Sequence, residues 1–392
     1  MPQDLANATP ELAYVVLLFA LFVVPRVLQR WRLPSAITSF VLGGVAGIGF
    51  GLFSHDPTIH LLSTFGIVSL FLFAGLEVDG FGSALRIRYL LLHLAIRVVT
   101  LAGATVVLAR LFILDLRPAS LLALALLTPS AGFILDAMNG FGLTPEETAW
   151  IRSKAIASEL LALLGLFVVL QSTTAERFAT STLLLAGIVV VLPPVFRLFA
   201  TRIAPYAPKS EFAFLLMMAL VAAYATRRLG VYYLVGAFLV GVAARRFRQS
   251  LPAIASDRML HAVEVFASFF APFYFFRAGS ELTREDLSWP AVWLGLAFVG
   301  VMVPLRIVAL ALLRRVTLGE SIRVSLRIAV PMLPTLVFTL VLAGILRDRF
   351  GIGDPLFGAL VVYALLTTLI PGFVFNAPTP EYSEPALPES AG

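Results

Sequence analysis

Residues 155–170 read Ala155-Ile156-Ala157-Ser158-Glu159-Leu160-Leu161-Ala162-Leu163-Leu164-Gly165-Leu166-Phe167-Val168-Val169-Leu170, an apolar run interrupted by one carboxylate. The run reads as lipid-compatible helix. Keeping a charge inside it costs roughly 2.5–3.5 kcal/mol on insertion scales. Glu159 therefore either exchanges a proton or finds a cation, and a proton-coupled ion carrier needs both.

The rest of the chain has the same character. Its hydrophobic fraction is 59% and its mean hydropathy +0.95, against about 45–50% apolar in a soluble domain. The expectation is an all-α polytopic membrane protein. Runs of about 17–25 apolar residues can each span a bilayer. Thirteen candidates occur: 12–28, 35–53, 59–76, 87–110, 118–137, 150–170, 180–200, 211–226, 230–245, 261–278, 290–313, 321–346 and 355–375. The membrane domain is expected over residues 1–376, with a disordered cytoplasmic tail at 377–392 rich in Pro and Glu.

Charge and composition exclude several function classes. There is no cysteine, so no disulfide or thiolate metal site can form. Four scattered histidines (His55, His60, His93, His261) do not make a zinc-type cluster. No nucleophile–base constellation is visible, so an enzyme is not expected, and no cofactor is implied. The net charge of +6 does not mark a nucleic-acid partner, because the basic residues are spread through short loops. Alternate loops hold 17 and 7 Lys and Arg residues, an asymmetry that sets topology. The richer set, beginning with Arg26, Arg30 and Arg32, is placed inside. The N-terminus is then outside and the C-terminus cytoplasmic, in an inner or plasma membrane. Asp4 and Glu11 precede the first run where a signal peptide would carry positive charge, so that run reads as a retained helix.

An internal repeat follows from direct comparison. Phe71-Leu72-Phe73-Ala74-Gly75-Leu76-Glu77-Val78-Asp79 resembles Phe275-Phe276-Arg277-Ala278-Gly279-Ser280-Glu281-Leu282-Thr283, offset by 204 residues. Upstream, Leu42-Gly43-Gly44-Val45-Ala46 resembles Val240-Gly241-Val242-Ala243-Ala244, offset by 198. Downstream, each half places an arginine in the next apolar run, Arg97 and Arg306. Each then places a proline-interrupted run, with Pro129 in one and Pro331 and Pro334 in the other. The first Ala-Gly step ends an inward-going helix and the second an outward-going one. Inverted repeats with paired broken helices mark secondary transporters, with the site near the midplane.

Thr128-Pro129-Ser130 and Val330-Pro331-Met332-Leu333-Pro334-Thr335 are the two expected breaks. Proline removes a backbone donor and frees the carbonyl one turn earlier. Carbonyls and the hydroxyls of Thr128 and Ser130 are hard oxygen ligands, suited to Na⁺, Li⁺ or K⁺. Half-helix ends of opposite dipole sign meet at such a crossing, and Arg306 is the candidate balancing charge. Alternatively Arg306 snorkels or binds a carbonyl, and Glu159 is fixed permanently by Arg306 or Lys154 as interhelical glue. Glu77, Glu281, Asp136 and Glu264 sit at expected helix ends and read as caps or interfacial ion pairs. Arg97 and Arg277 are not assigned.

Leu33-Pro34 through Gly43, the Phe-Ala-Gly-Leu-Glu block at 73–77 and Thr128-Pro129-Ser130 resemble signature segments of the monovalent cation:proton antiporter-2 (sodium/hydrogen exchanger) family. The resemblance runs over roughly residues 12–375. It implies 13 helices, a dimerisation domain and a mobile core. It also implies elevator-like exchange of a monovalent cation for protons, usually by a homodimer. In that family the helix after the first break carries an Asp-Asp or Asn-Asp pair; Ser158-Glu159 stands there in this chain. Arg306 stands where the family has Lys or Arg.

The expected function is proton-coupled exchange of a monovalent cation bound at Glu159, with Ser158, Thr128 and Ser130 adding oxygen ligands. A single carboxylate facing a fixed arginine holds one proton or one cation, which makes the exchange 1:1. Two rivals stand beside it: an organic-anion carrier holding its substrate at Arg306, and a non-transporting sensor or scaffold with Glu159 locked in a salt bridge.

Overall fold

The computed structural model describes residues 10–78, 84–138, 141–207, 210–228, 233–246 and 257–375. These residues are helical almost throughout. In chain order the helices are α1 (Pro10–Leu28), α2 (Ser35–Gly44), α3 (Pro57–Leu76), α4 (Ala84–Phe112), α5 (Leu116–Leu127), α6 (Ala131–Ala137), α7 (Pro145–Gln171) and α8 (Ala175–Leu198). They continue as α9 (Glu211–Arg228), α10 (Tyr233–Arg246), α11 (Asp257–Ser280), α12 (Trp289–Leu318), α13 (Ile322–Ala329), α14 (Leu336–Phe350) and α15 (Asp354–Val374). A π-helical turn, Val45–Gly49, extends α2, and a 3₁₀ turn, Val330–Met332, extends α13.

The ends of these helices are written locally. Asp56 caps α3 by accepting from the backbone of Thr58 and Ile59, with Pro57 in the first turn. Thr144 and Glu147 form a capping box on α7, again with proline following the cap. Gly319 and Gly351 close α12 and α14 at φ of 66° and 60°, a left-handed conformation that glycine adopts without a Cβ penalty.

Each of the thirteen apolar stretches holds helix within its described residues, interrupted at 128–130 and 333–335 and ended before 51–53. Among the described residues, nine helices are long and apolar enough to cross a bilayer by length and composition, or ten if the bent pair at 322–350 is one span. The stretches at 35–53 and 230–245 hold shorter apolar helices. The protein is thus an all-α, multi-span membrane protein, and thirteen crossings is more than helix length alone establishes. The tail at 377–392 and the side chain of Asp136 lie outside the described residues.

Helices α1, α4, α8 and α12 turn rows of apolar side chains outward, such as Val99, Val107, Leu183, Val190 and Val301. In water those rows would be an aggregation hazard; in hydrocarbon they are the solvated face. The opposite pattern holds for α5 and α14, most of whose side chains are buried. The two helices that adjoin the breaks therefore form the centre of the molecule.

Helices α2, α3, α10 and α11 form a second packed group, and the repeated glycines join it. A Cβ on Gly43 would fall 1.9 Å from the Phe276 carbonyl oxygen, and one on Gly279 would fall 2.0 Å from that of Phe40. A Cβ on Gly75 would fall 2.3 Å from the Phe238 carbonyl oxygen, and one on Gly241 2.4 Å from that of Leu72. Backbone thus meets backbone at both crossings, the packing that small residues permit between membrane helices. The pattern is reciprocal. The Gly43 segment of the first half packs on the Gly279 segment of the second, and Gly241 of the second half packs on Gly75 of the first. A twofold relation between the halves would produce this exchange of partners.

Gly43→Val should lower stability by about 1–3 kcal/mol or more, because neither backbone can yield. Gly103→Ala, where an added Cβ meets nothing within 4 Å, should leave stability unchanged or raise it by up to ~1 kcal/mol. Thermal unfolding of the two variants in detergent gives the comparison.

Candidate functional site

The chain leaves helix at Thr128-Pro129-Ser130 and again at Leu333-Pro334-Thr335, and these two breaks touch. The Ser130 backbone N–H donates to the Pro334 carbonyl at 2.9 Å. The Ser130 hydroxyl accepts from the Phe338 N–H in the first turn of α14, at 3.2 Å. The second break also bends its helix pair by 51°.

A helix end leaves its last four carbonyls without intrahelical partners, and here α5 ends inside the protein. All four are satisfied. The Thr128 N–H donates to Leu124 O at 3.0 Å and the Thr339 hydroxyl to Ala125 O at 2.8 Å. The Tyr363 hydroxyl donates to Leu126 O at 2.5 Å, and an Arg97 guanidinium N–H donates to Leu127 O at 2.6 Å. At the second break Arg306 donates to Met332 O at 2.7 Å and Leu333 O at 2.9 Å. Arg306 also donates to the Tyr363 hydroxyl at 3.1 Å, so that one phenol bridges both breaks. Thr335 and Thr367 share a buried hydroxyl contact at 3.1 Å beside it.

The two ends of each break carry opposite partial charge, and the side chains follow it. The C-terminal ends receive guanidinium groups, Arg97 at α5 and Arg306 at the turn following α13. The N-terminal end of α6 receives Glu159: the Ala131 N–H donates to its carboxylate at 3.2 Å. Glu159 is 3% exposed, and no ion pair to it forms among the described residues. Arg306 lies on carbonyls and not on Glu159. Lys154, five residues earlier on α7, stands over the Trp150 ring at 5.4 Å, which Arg314 also covers at 4.2 Å.

Ser158 is fully buried, and its hydroxyl has no hydrogen-bond partner among the described residues. With Thr128, Pro129, Arg97 and Arg306 it lines a cavity of about 70 Å³. Pro331 is buried in the 3₁₀ turn ahead of the second break. Of the carboxylates at helix ends, Glu77 pairs with Arg152 at 3.0 Å, Glu281 with Arg277 at 2.7 Å and Glu264 with His261 at 3.4 Å.

Several residues here were not singled out by sequence reasoning. Tyr363, Thr339 and Thr367 are ordinary members of apolar helices, and their only signal is a hydroxyl where hydrocarbon would suffice. Arg97 was visible through its repeat counterpart, Arg306. A further buried pair, Asp286 with Arg347, braces the start of α12 against α14: Asp286 also accepts from the Thr283 N–H at 2.9 Å and the Thr283 hydroxyl at 3.0 Å.

Two broken helices meeting inside a multi-span helical protein, with a buried carboxylate at one half-helix and arginines at the others, define a secondary transporter scaffold. The sodium/hydrogen exchanger transmembrane family matches residues 16–379, and the chain belongs to that family. It is accordingly a transport protein and not an enzyme. A relative described as "Probable Na(+)/H(+) antiporter 3", from Methanocaldococcus jannaschii, is 23% identical over 379 residues, covering 91% of this chain and 93% of its own. The fold is similar to that of the sodium proton antiporter MjNhaP1 from the same organism at pH 8. That comparison has a TM-score of 0.63 at 14% identity and covers 96% of this chain and 97% of the other. An electron-microscopy structure of MjNhaP1 gives 0.60 at 15% identity, covering 94% and 95%.

Tyr363→Phe removes the bridge, leaving the Leu126 carbonyl and one Arg306 N–H unmet. It should cost about 1–3 kcal/mol. Thr368→Val should change little, because the Thr368 hydroxyl bonds only to the Ala364 carbonyl of its own helix. Melting temperatures of the two variants, measured side by side, decide this.

Proposed function

We propose that this protein exchanges a monovalent cation for protons, with Glu159 as the shared binding group. One observation carries the reading: a buried carboxylate rests on the first N–H of a broken helix with no counter-charge to it among the described residues. A carboxylate so placed binds either a proton or a cation, and loss of one invites the other. Na⁺, Li⁺ and K⁺ all suit an oxygen site of this kind. Family membership and the likeness to proteins described as Na⁺/H⁺ antiporters support the same reaction.

The supporting cast is assigned as follows. Ser158, Thr128 and Ser130 supply neutral oxygens near the carboxylate, although the Ser130 hydroxyl already accepts from Phe338. Arg306 balances the C-terminal end of the second break, and Pro129, Pro331 and Pro334 keep both breaks open. The group containing α5, α7 and α14 moves against the glycine-packed group of α2, α3, α10 and α11 in an elevator-like step. The working unit is a homodimer in an inner or plasma membrane, N-terminus outside and C-terminus cytoplasmic, and the two halves are an inverted repeat.

The two rival readings fare less well. A salt-bridged scaffold requires a cation on Glu159, and none lies there among the described residues. An organic-anion carrier needs space beside Arg306, but the cavity there is about 70 Å³, far below the roughly 300–1,000 Å³ of small-molecule pockets.

Glu159→Gln keeps the shape and removes the exchangeable charge. It should abolish proton movement driven by Na⁺, Li⁺ or K⁺ in proteoliposomes while the protein still elutes as a folded species. Retained cation-driven flux would sink the assignment.

With one carboxylate to share, exchange should be 1:1 and indifferent to membrane potential. Flux measured at clamped potentials of opposite sign should coincide, and a potential-dependent rate with 2:1 stoichiometry would rule it out.

A further inference from the structure

The two Ala-Gly steps are followed by matching carboxylates, Glu77 and Glu281, 204 residues apart. The fold treats them differently. Glu77 ends α3, in the glycine-packed group, and reaches across to Arg152 on α7 at 3.0 Å. Glu281 stays with its own helix and pairs with Arg277 at 2.7 Å. One carboxylate joins the two packed groups, and its counterpart does not.

The surroundings differ in the same sense. Near Glu77 the groups are sealed: Phe73 and Val78 pack on a buried apolar cluster that includes Ile134 of α6 and Ile151 and Ala155 of α7. Near Glu281 they are parted by a vestibule of about 480 Å³. Its walls include Thr64 of α3, Tyr224 of α9 and Arg277 of α11 on one side, and Val341 and Arg349 of α14 on the other. Helix α9 belongs to the glycine-packed side, where a Cβ on Gly236 of α10 would fall 2.3 Å from the Ala222 carbonyl oxygen. The vestibule lies where α3 begins and α11 ends, the outer face in the topology proposed above. The seal lies where α3 ends and α7 begins.

The basic group available to Glu281 across the vestibule is Arg349. Arg347, one turn-half earlier on the same helix, is held by Asp286 and lies 3.8 Å from Asp354. Arg227 also lines the vestibule, but from α9, on the side of Glu281 itself. No carboxylate pairs with Arg349 among the described residues. The offset of 204 carries Arg152 onto Leu356, which is uncharged, so the base has to come from the adjoining end of α14.

We infer that Glu77 and Glu281 are alternating latches, positioning residues for the exchange cycle. The Glu77–Arg152 pair holds the inner side shut in this structure. When the vestibule closes, that pair parts and Glu281 crosses to Arg349. The inference rests on the two-body movement proposed above and not on which ion is carried. The Arg152 side chain is 43% exposed, and ion pairs so exposed are weak, which suits a contact made and broken in every cycle.

The chain has no cysteine, so introduced thiols report alone in the purified full-length protein. Ala155→Cys lies in the seal and should react slowly with a maleimide, while Thr64→Cys in the vestibule should react fast. Adding Glu77→Gln should speed Ala155→Cys labelling about two- to fivefold, the shift that loss of an exposed ion pair gives a two-state equilibrium. Arg152→Gln should do the same. Glu77→Arg combined with Arg152→Glu should bring the rate back, which a merely loosened fold would not do. Glu281→Cys and Arg349→Cys should be joined by a short bis-maleimide more completely in the Glu77→Gln background. Labelling of Ala155→Cys unchanged by both Gln variants overturns the inference. So does a charge swap that restores nothing, or a cross-link yield indifferent to Glu77. Labelling needs no ion gradient, so failure here leaves exchange at Glu159 standing, and failure of that exchange leaves the latches.

Discussion

Everything at the centre of this protein follows from the need to satisfy backbone polar groups where a helix stops inside a membrane. Water is not available there, and each unmet carbonyl or N–H costs several kcal/mol. The end of α5 meets the requirement with four different donors, the Thr128 N–H, the Thr339 and Tyr363 hydroxyls and Arg97. These come from the break itself and from three other helices. The break therefore holds its shape only when those helices are docked, and any movement of this region must carry them together.

That constraint also orders the charges. Carbonyl ends gather arginine, and the N–H end of α6 gathers Glu159. Among the described residues the carboxylate is partnered by a neutral donor and by no cation. Arg306 is occupied by Met332, Leu333 and Tyr363, which makes it part of the frame and not a gate on Glu159. A frame that is internally satisfied leaves Glu159 without a fixed cation among the described residues, and the exchange proposed above requires that separation.

The second packed group is built on a different principle. Gly43, Gly75, Gly241 and Gly279 let backbones touch without side chains between them, giving a stiff support with little polar content. A buried polar crossing beside a close-packed apolar support fits a mechanism in which one body moves against the other.

Much of the fold was legible because a bilayer allows so few solutions. Long apolar runs must be helices, prolines within them must break them, and Glu159 stands out because a lone carboxylate in hydrocarbon has no structural excuse. The glycine repeat was legible too, since two copies in the same order identify each other. What could not be read was who partners whom. Arg306 was the natural counter-charge to Glu159 by residue type, yet it lies on carbonyls, because the order of residues along α7 and α12 does not say which way either helix is rotated. Tyr363 and Thr339 carry no mark in the sequence; they matter through their proximity to Leu126 and Ala125, residues more than 200 positions away. The sequence by itself determined an all-helical membrane protein with two breaks and one acid set within an apolar run. Only the tertiary structure decided which atoms of the two breaks touch, that arginines take their carbonyl ends and that Ser158 faces a cavity, since each of these depends on distances between helices that no local pattern encodes.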